Sequence, residues 1–339
     1  MVRPVAEFID AYRIWHKVTF QRGRILKTRG DAWRDLGRPE LIREPELFYG
    51  ADGRVPDMRA SPERAFARSE VSRFSFPSLH PIRGYDYPET NVAHGWLYRP
   101  KNRPRSPVAV LAHGWAHDGV RALERIFVGP LLNAGFAVAL PELPFHFRRA
   151  PAGTYSGELM VSGDVMLTVE AFRQAAADLC GRINWLRDGA TGDAPVGVIG
   201  YSLGGYVAGL LACLRHDLDF AVIAAAGDSV VSPILDTGLG ANVREDLSWS
   251  GMDGRESLER AWGIISPGRL RLRIPLDRVL LVAGVYDRIM LQRSVADLWE
   301  SWGRPDIRWE NEGHYTLLAY PGRVVRLSEP LLSPVGAAG

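Results

Sequence analysis

From residue 107 onward the chain alternates short, continuous apolar runs with longer stretches of helical character, and few architectures accommodate that alternation. Runs such as PVAVLAHG, 107–114, suit strands buried on both faces, and parallel strands must be joined by crossover segments, usually helices. The order reads as strand 107–113, helix near 120–134, strand 136–140, a long loop, helix near 164–187, strand 195–201 and helix 203–215. Strand 219–226 then precedes a segment rich in Gly, Ser and Trp, 228–275, followed by strand 278–284, helix near 291–302, strand 305–309 and a last short helix. The expected fold class is α/β: a mostly parallel central sheet with helices on both faces. The segment 228–275 is too long for a simple connection and is expected to form a cap or lid insert over the carboxyl edge of the sheet.

Residues 1–65 read differently, as an N-terminal helical extension preceding a main domain over 66–330. Val5, Phe8, Ile9, Tyr12, Trp15 and Phe20 fall close to helical spacing, so the first helix is expected to pack on something larger. A polar stretch dotted with Pro and Gly follows to about residue 65, and the text becomes strand-like at VSRFSF after Glu70 and at HGWLYRP, 94–100.

Charge and composition narrow the function classes. With 41 Lys+Arg against 39 Asp+Glu, the net charge of +2 gives no field to hold nucleic acid or an anionic membrane, so neither is expected as a partner. Cys180 and Cys213 fall in helical stretches without CxxC or Cys/His spacing, which argues for core thiols over a disulfide framework or zinc site. Glu7, Asp10, Arg13 and His16 interrupt any apolar leader, and no stretch approaches the roughly 18 apolar residues of a membrane span, so the expected location is the cytoplasm.

The chemistry concentrates at Gly200-Tyr201-Ser202-Leu203-Gly204-Gly205, between the apolar run APVGVI and the helical YVAGLLACLRH. A sharp strand-to-helix turn at this point lifts Ser202 above the sheet as a nucleophile elbow. A serine alkoxide needs a base, and His314, in EGHY after the last strand-like run, lies at a carboxyl end where it could serve. Asp287, after RVLLVAG, could orient that histidine; its rival is Asp228, one strand earlier. Two N–H groups could receive an oxyanion: that of Leu203, at the helix start, and that of Trp115, in the HGW turn after strand 107–113.

His113, His117 and Asp118 in HGWAHD lack the HExxH pattern and a partner cluster, so no metal is expected. GxGxxG and GxxxxGK are both absent, so no cofactor is expected either. Tyr201, Phe145, Trp249 and Trp262, with Phe147, are candidates for an acyl pocket, although the tryptophans could equally be the small core of the cap.

Elbow, acid, histidine and HG loop together resemble the α/β-hydrolase superfamily over roughly residues 68–328. The resemblance implies Ser202 as nucleophile, Asp287 as acid, His314 as base, and Leu203 and Trp115 as oxyanion donors. The single HGW turn is more similar to that of esterases, lipases and aminopeptidase-like members than to the HGGG of hormone-sensitive lipases. The implied activity is that of a serine hydrolase on a small-molecule ester. A peptidase or amidase comes second, and an acyltransferase or a non-enzymatic ligand receptor on the same fold remain as other classes. The extension and the insert match no named motif.

Overall fold

The computed structural model describes residues 2–337 apart from 29, 51–52, 67, 104, 117–118, 191–192 and 253. His117 and Asp118 of the HGWAHD stretch therefore lie outside the described residues. Nine described strands make one sheet: β1 (Arg59–Ala65), β2 (Ser69–Pro77), β3 (Val92–Pro100), β4 (Val108–Ala112), β5 (Ala137–Pro141), β6 (Val196–Tyr201), β7 (Ala221–Ala224), β8 (Val279–Gly284) and β9 (Asp306–Glu310). Their order is β1-β2-β3-β5-β4-β6-β7-β8-β9. The pairings among β4–β9 are all parallel, and the strands β1, β2, β3 and β5 pair antiparallel at the other end.

Every residue of β4, β5, β6, β7 and β8 is buried, which is why these strands read as continuous apolar runs. The chain leaves β4 for β5 on one side and then returns to β6 on the other. This reversal opens a crevice at the carboxyl ends of β4 and β6, where open α/β sheets place their ligands.

Among the described residues, the helices of eight or more residues are α1 (Arg3–Phe20), α2 (Val165–Trp185), α3 (Leu203–Leu214), α4 (Ala241–Ser248), α5 (Arg255–Trp262), α6 (Gln292–Ser301) and α7 (Glu329–Ala337). α2 starts where Asp164 accepts the N–H groups of Met166 and Leu167 with its side chain, covering two donors that a helix start leaves open. Cys180 in α2 and Cys213 in α3 are buried and unlinked.

Two elements depart from the sequence reading. Arg59–Ala65, placed there within the helical extension, is instead the first strand of the sheet, paired antiparallel with β2 with a shift of register between Pro62 and Arg64. Its sequence, RASPERA, is exposed at nearly every position, so it pairs through backbone and the Glu63–Arg73 ion pair and leaves no hydrophobic period to read. The second concerns α1. Its aromatic stripe was expected to face the body of the protein, yet Phe8, Tyr12, Trp15 and Phe20 are exposed. The helix seats itself by the opposite, narrow edge, where Ala6 and Asp10 are buried and Ile14 is half-buried.

Residues 228–275 hold α4, α5 and several short turns. Trp262 of α5 is fully buried and donates its indole N–H to the Val165 carbonyl at 3.3 Å, while the Tyr49 hydroxyl donates to Ile264 O at 2.9 Å. The insert and the N-terminal segment are thus packed on one another and on α2. Among the described residues, no helix is long and apolar enough to cross a membrane.

Candidate active site

Ser202 sits between the last residue of β6 and the first of α3, with φ 56° and ψ −120°. A non-glycine residue in this region is strained, and the strain is held by anchored backbone on either side. The Ser202 N–H donates to Ala224 O at 2.9 Å, and its carbonyl accepts from Gly205 N at 2.8 Å and Tyr206 N at 3.2 Å. Gly204 is required here by close approach: a Cβ on it would stand 2.0 Å from the Ala112 carbonyl oxygen of β4.

Three residues from three strand ends meet. Nε2 of His314, beyond β9, lies 2.9 Å from Ser202 Oγ, and Nδ1 lies 2.8 Å from Oδ2 of Asp287, beyond β8. A carboxylate can only accept, so Nδ1 carries the hydrogen and Nε2 is left to accept from the serine hydroxyl. The other oxygen of Asp287 accepts from the N–H groups of Ile289 and Met290, both at 2.7 Å, which fixes the carboxylate plane. Asp228 is not part of this arrangement; its Oδ1 accepts from the Ser294 hydroxyl at 2.7 Å.

The basicity of His314 follows from its surroundings. Burial alone would lower it, but the charge and hydrogen bond of Asp287, supplemented by the charge of Asp10, outweigh burial and raise it above the ordinary histidine value, with Lys17 opposing. Burial is also the first cause of the raised value at Asp10, followed by the charge of Asp287.

Leu203 opens α3, where its N–H has no acceptor within the helix, and both Leu203 and Trp115 line the cleft beside Ser202. The turn bearing Trp115 is clamped by two histidines. His113 accepts the Leu143 N–H on Nε2 at 3.1 Å and gives its Nδ1 hydrogen to Gly114 O at 2.9 Å. His146 gives its Nδ1 hydrogen to Pro144 O at 2.8 Å and accepts the N–H of Ala116, itself at φ 54°, at 3.3 Å. The Trp115 indole donates to Gly157 O at 2.7 Å. Among the described residues, no group of three His, Cys, Asp or Glu side chains is placed to hold a metal ion.

None of the five aromatic residues expected in an acyl pocket lines the cleft, and Phe147 packs edge-on against Trp96 and His113. Phe145 is fully buried with Tyr87 edge-on to it, Trp262 is core, and Trp249 is exposed beneath the Lys27 ammonium. Tyr201 is buried and donates its hydroxyl to the His314 carbonyl, so it holds the histidine loop from below. For Phe145, Trp262 and Tyr201 a core or backbone partner already engages the side chain, whereas Trp249 stands in solvent. The cleft is lined instead by Trp115, Val161, Tyr206 and Met290 around Ser202, with Val230, Pro233, Ile234 and Leu239 from the insert. Tyr206 was findable, since it lies one helical turn after Ser202 and therefore on the same face.

Sequence reasoning also passed over Asp10, treating it as an interruption in an apolar run. Its carboxylate accepts the N–H groups of His314 at 2.7 Å, Tyr315 at 3.0 Å and Arg288 at 3.2 Å. The one available signal was an acid spaced between Ala6 and Ile14 on a single helix edge.

Comparison with known proteins follows this geometry. The family model described as alpha/beta hydrolase domain containing 18 matches residues 59–244, beginning at the first residue of β1. An uncharacterized protein of Mycobacterium tuberculosis strain H37Rv is 32% identical over 322 residues, covering 92% of this chain and 73% of that protein. Among solved structures, acetyl xylan esterase from Paenibacillus sp. R4 superposes with a TM-score of 0.64 at 17% identity, covering 88% of this chain and 98% of that one. Acetyl xylan esterase 1 from Thermoanaerobacterium sp. JW/SL YS485 gives 0.60 at 17% identity, covering 91% and 99%. Identities this low speak to the fold alone. With the family model matching more than half of the chain and the sheet order in agreement, the chain belongs to the alpha/beta hydrolase domain containing 18 family, a hydrolase of the α/β-hydrolase superfamily.

Proposed function

We propose that this hydrolase is a serine carboxylesterase that acts through Ser202, His314 and Asp287 on esters with a short acyl group. The observation that carries the reading is the unbroken line from Ser202 Oγ to His314 Nε2 at 2.9 Å and from His314 Nδ1 to Asp287 Oδ2 at 2.8 Å. His314 takes the proton as Ser202 Oγ bonds to the ester carbonyl carbon, and the oxyanion receives hydrogen bonds from the N–H groups of Leu203 and Trp115. The proton passes to the leaving alcohol, an acyl-serine remains, and water activated by the same histidine releases the acid.

The preference for a short acyl group is supported by the size of the cleft. It is almost wholly apolar and has a free volume of about 40 Å³, bounded by Tyr206, Met290, Val230 and Ile234. That is room for about three water molecules, enough for an acetyl or similarly small group. Residues 233–239 of the insert form part of the wall, which supports reading 228–275 as a cap over the site.

The test is hydrolysis of p-nitrophenyl acetate, butyrate and palmitate by the wild type and by Ser202→Ala, with the site of fluorophosphonate labelling mapped by peptide mass. The expected result is turnover of acetate and butyrate, little of palmitate, labelling at Ser202, and a loss of about 10⁴-fold or more in Ser202→Ala. Turnover surviving in Ser202→Ala, or labelling elsewhere, would sink the proposal.

A further inference from the structure

Asp10 is fully buried on the one edge of α1 that faces the body of the protein. Its carboxylate is held by backbone alone: Oδ2 accepts from His314 N at 2.7 Å and from Arg288 N at 3.2 Å, and Oδ1 accepts from Tyr315 N at 3.0 Å. Arg288 directly follows Asp287, so the two loops tied together here are the one carrying the acid and the one carrying the base. Those loops also share a backbone bond, Tyr286 N to Glu312 O at 2.9 Å, but that bond lies behind the site, whereas Asp10 grips His314 itself. Room for the grip is left by Gly313, where a Cβ would stand 2.6 Å from Asp10 Oδ2.

A buried carboxylate without a cation partner is costly, and this one stands near a second carboxylate, Asp287. Three N–H donors offset part of that cost. An apolar residue would seat the helix edge but would leave those three N–H groups without acceptors, so the carboxylate serves the two loops as well as the helix. That role becomes clear when His314 takes the serine proton: the imidazolium then formed meets two negative charges, Asp287 bonded to its ring and Asp10 bonded to its backbone N–H. The other titratable or charged groups around His314 are Tyr201 below it, Tyr315 beside it with Arg13 over its ring, and Lys17, the next helical turn but one along α1.

We propose that Asp10 is a positioning residue of the hydrolytic site, a carboxylate contributed by α1 that locks the acid and base loops in register, so that docking of α1 is a condition of activity. This rests on Ser202, His314 and Asp287 acting as proposed above, and the experiment separates the two.

Full-length wild type, Ser202→Ala, Asp10→Asn and Glu7→Gln are compared on p-nitrophenyl acetate across pH, with folding followed by circular dichroism. Glu7 pairs with Arg3 on the solvent side of α1 and serves as the control. Asparagine removes the charge and turns an amide NH₂ toward backbone donors, so Asp10→Asn should lose about 10- to 100-fold in kcat through misplacement of the base. KM should stay within about twofold, because Asp10 touches no substrate. The acid limb of kcat/KM should move about half a unit to lower pH, because a negative charge near the imidazole has gone. Glu7→Gln should match the wild type.

A folded Asp10→Asn with unchanged kcat and an unmoved limb overturns the inference while leaving the serine hydrolase reading intact. A loss that follows the folded fraction alone, with the limb unmoved, makes Asp10 a structural anchor only and overturns it as well. Full activity in Ser202→Ala removes the hydrolytic reading and this inference together. Should Asp10→Asn not fold, Asp10→Ser with added formate replaces it. Recovery of kcat and of the wild-type limb by formate supports the role; no formate effect, or failure of both variants to fold, overturns it.

Discussion

His314 titrates between two influences that the fold sets against each other: burial in the strand-end crevice, which disfavours its charge, and the carboxylates of Asp287 and Asp10, which favour it. The carboxylates win, so the imidazole stays protonated to a higher pH than a free one. A base must be neutral to accept the serine proton, so the acid limb of kcat/KM is expected to centre above about 6.5, and a pH–rate profile on an unionised ester checks this. Asp287→Asn should lower kcat by about 10³- to 10⁴-fold through loss of the imidazole tautomer and shift the limb downward. At this scale the sequence was informative where chemistry and chain order coincide. Ser202, Asp287 and His314 each follow an apolar strand run, so their arrival at one edge could be read from the text. Asp10 was illegible because its partners are backbone N–H groups some 300 positions away, which no side-chain pattern announces.

The strand-turn-helix element β6–Ser202–α3 depends on how closely α3 can approach β4. With a Cβ at Gly204 only 2.0 Å from the Ala112 carbonyl, Gly204→Ala must push helix and strand apart, and no flexible side chain is there to yield. A loss of at least about 3 kcal/mol in urea unfolding is expected, with activity falling further as Leu203 N–H leaves its place. A change near zero would mean that α3 is not seated as described. Buried elements such as this were readable because an apolar run and a glycine-flanked turn are local signals. Elements that pair or pack through backbone were not. β1 has no apolar period because its surroundings are solvent, and α1 presents its apolar stripe outward because a carboxylate, and not a ring, makes its attachment. The pocket aromatics failed for a related reason: Phe145 and Trp262 are large enough to be claimed by the core before any cleft can use them.

Across the whole molecule, the antiparallel end of the sheet is joined to the helical layer by a buried ion pair. Arg149 donates to Asp178 of α2 at 2.8 Å, to Thr90 O at 2.7 Å and to Glu142 O at 3.0 Å, and both side chains are nearly sealed from solvent. Asp178 also accepts from the Ser78 hydroxyl and the Leu79 N–H, each at 2.8 Å, so loops around residues 78, 90 and 142 all meet α2 at this point. Arg149→Met would leave Asp178 charged, buried and short of its cation, and a loss of about 3–5 kcal/mol in equilibrium unfolding is expected. A loss below about 1 kcal/mol would show that the hydrogen bonds to Asp178 suffice without the guanidinium. The seat of α1 has a different consequence, one of timing. Asp10 leaves the ribosome 305 residues before Tyr315, which it must bind. At ordinary rates of translation the two are separated by on the order of tens of seconds. Throughout that interval the helix has no socket, and the nascent chain, however well its early strands have formed, carries an incomplete site. The site is therefore completed only when a segment made early meets one made some 300 residues later.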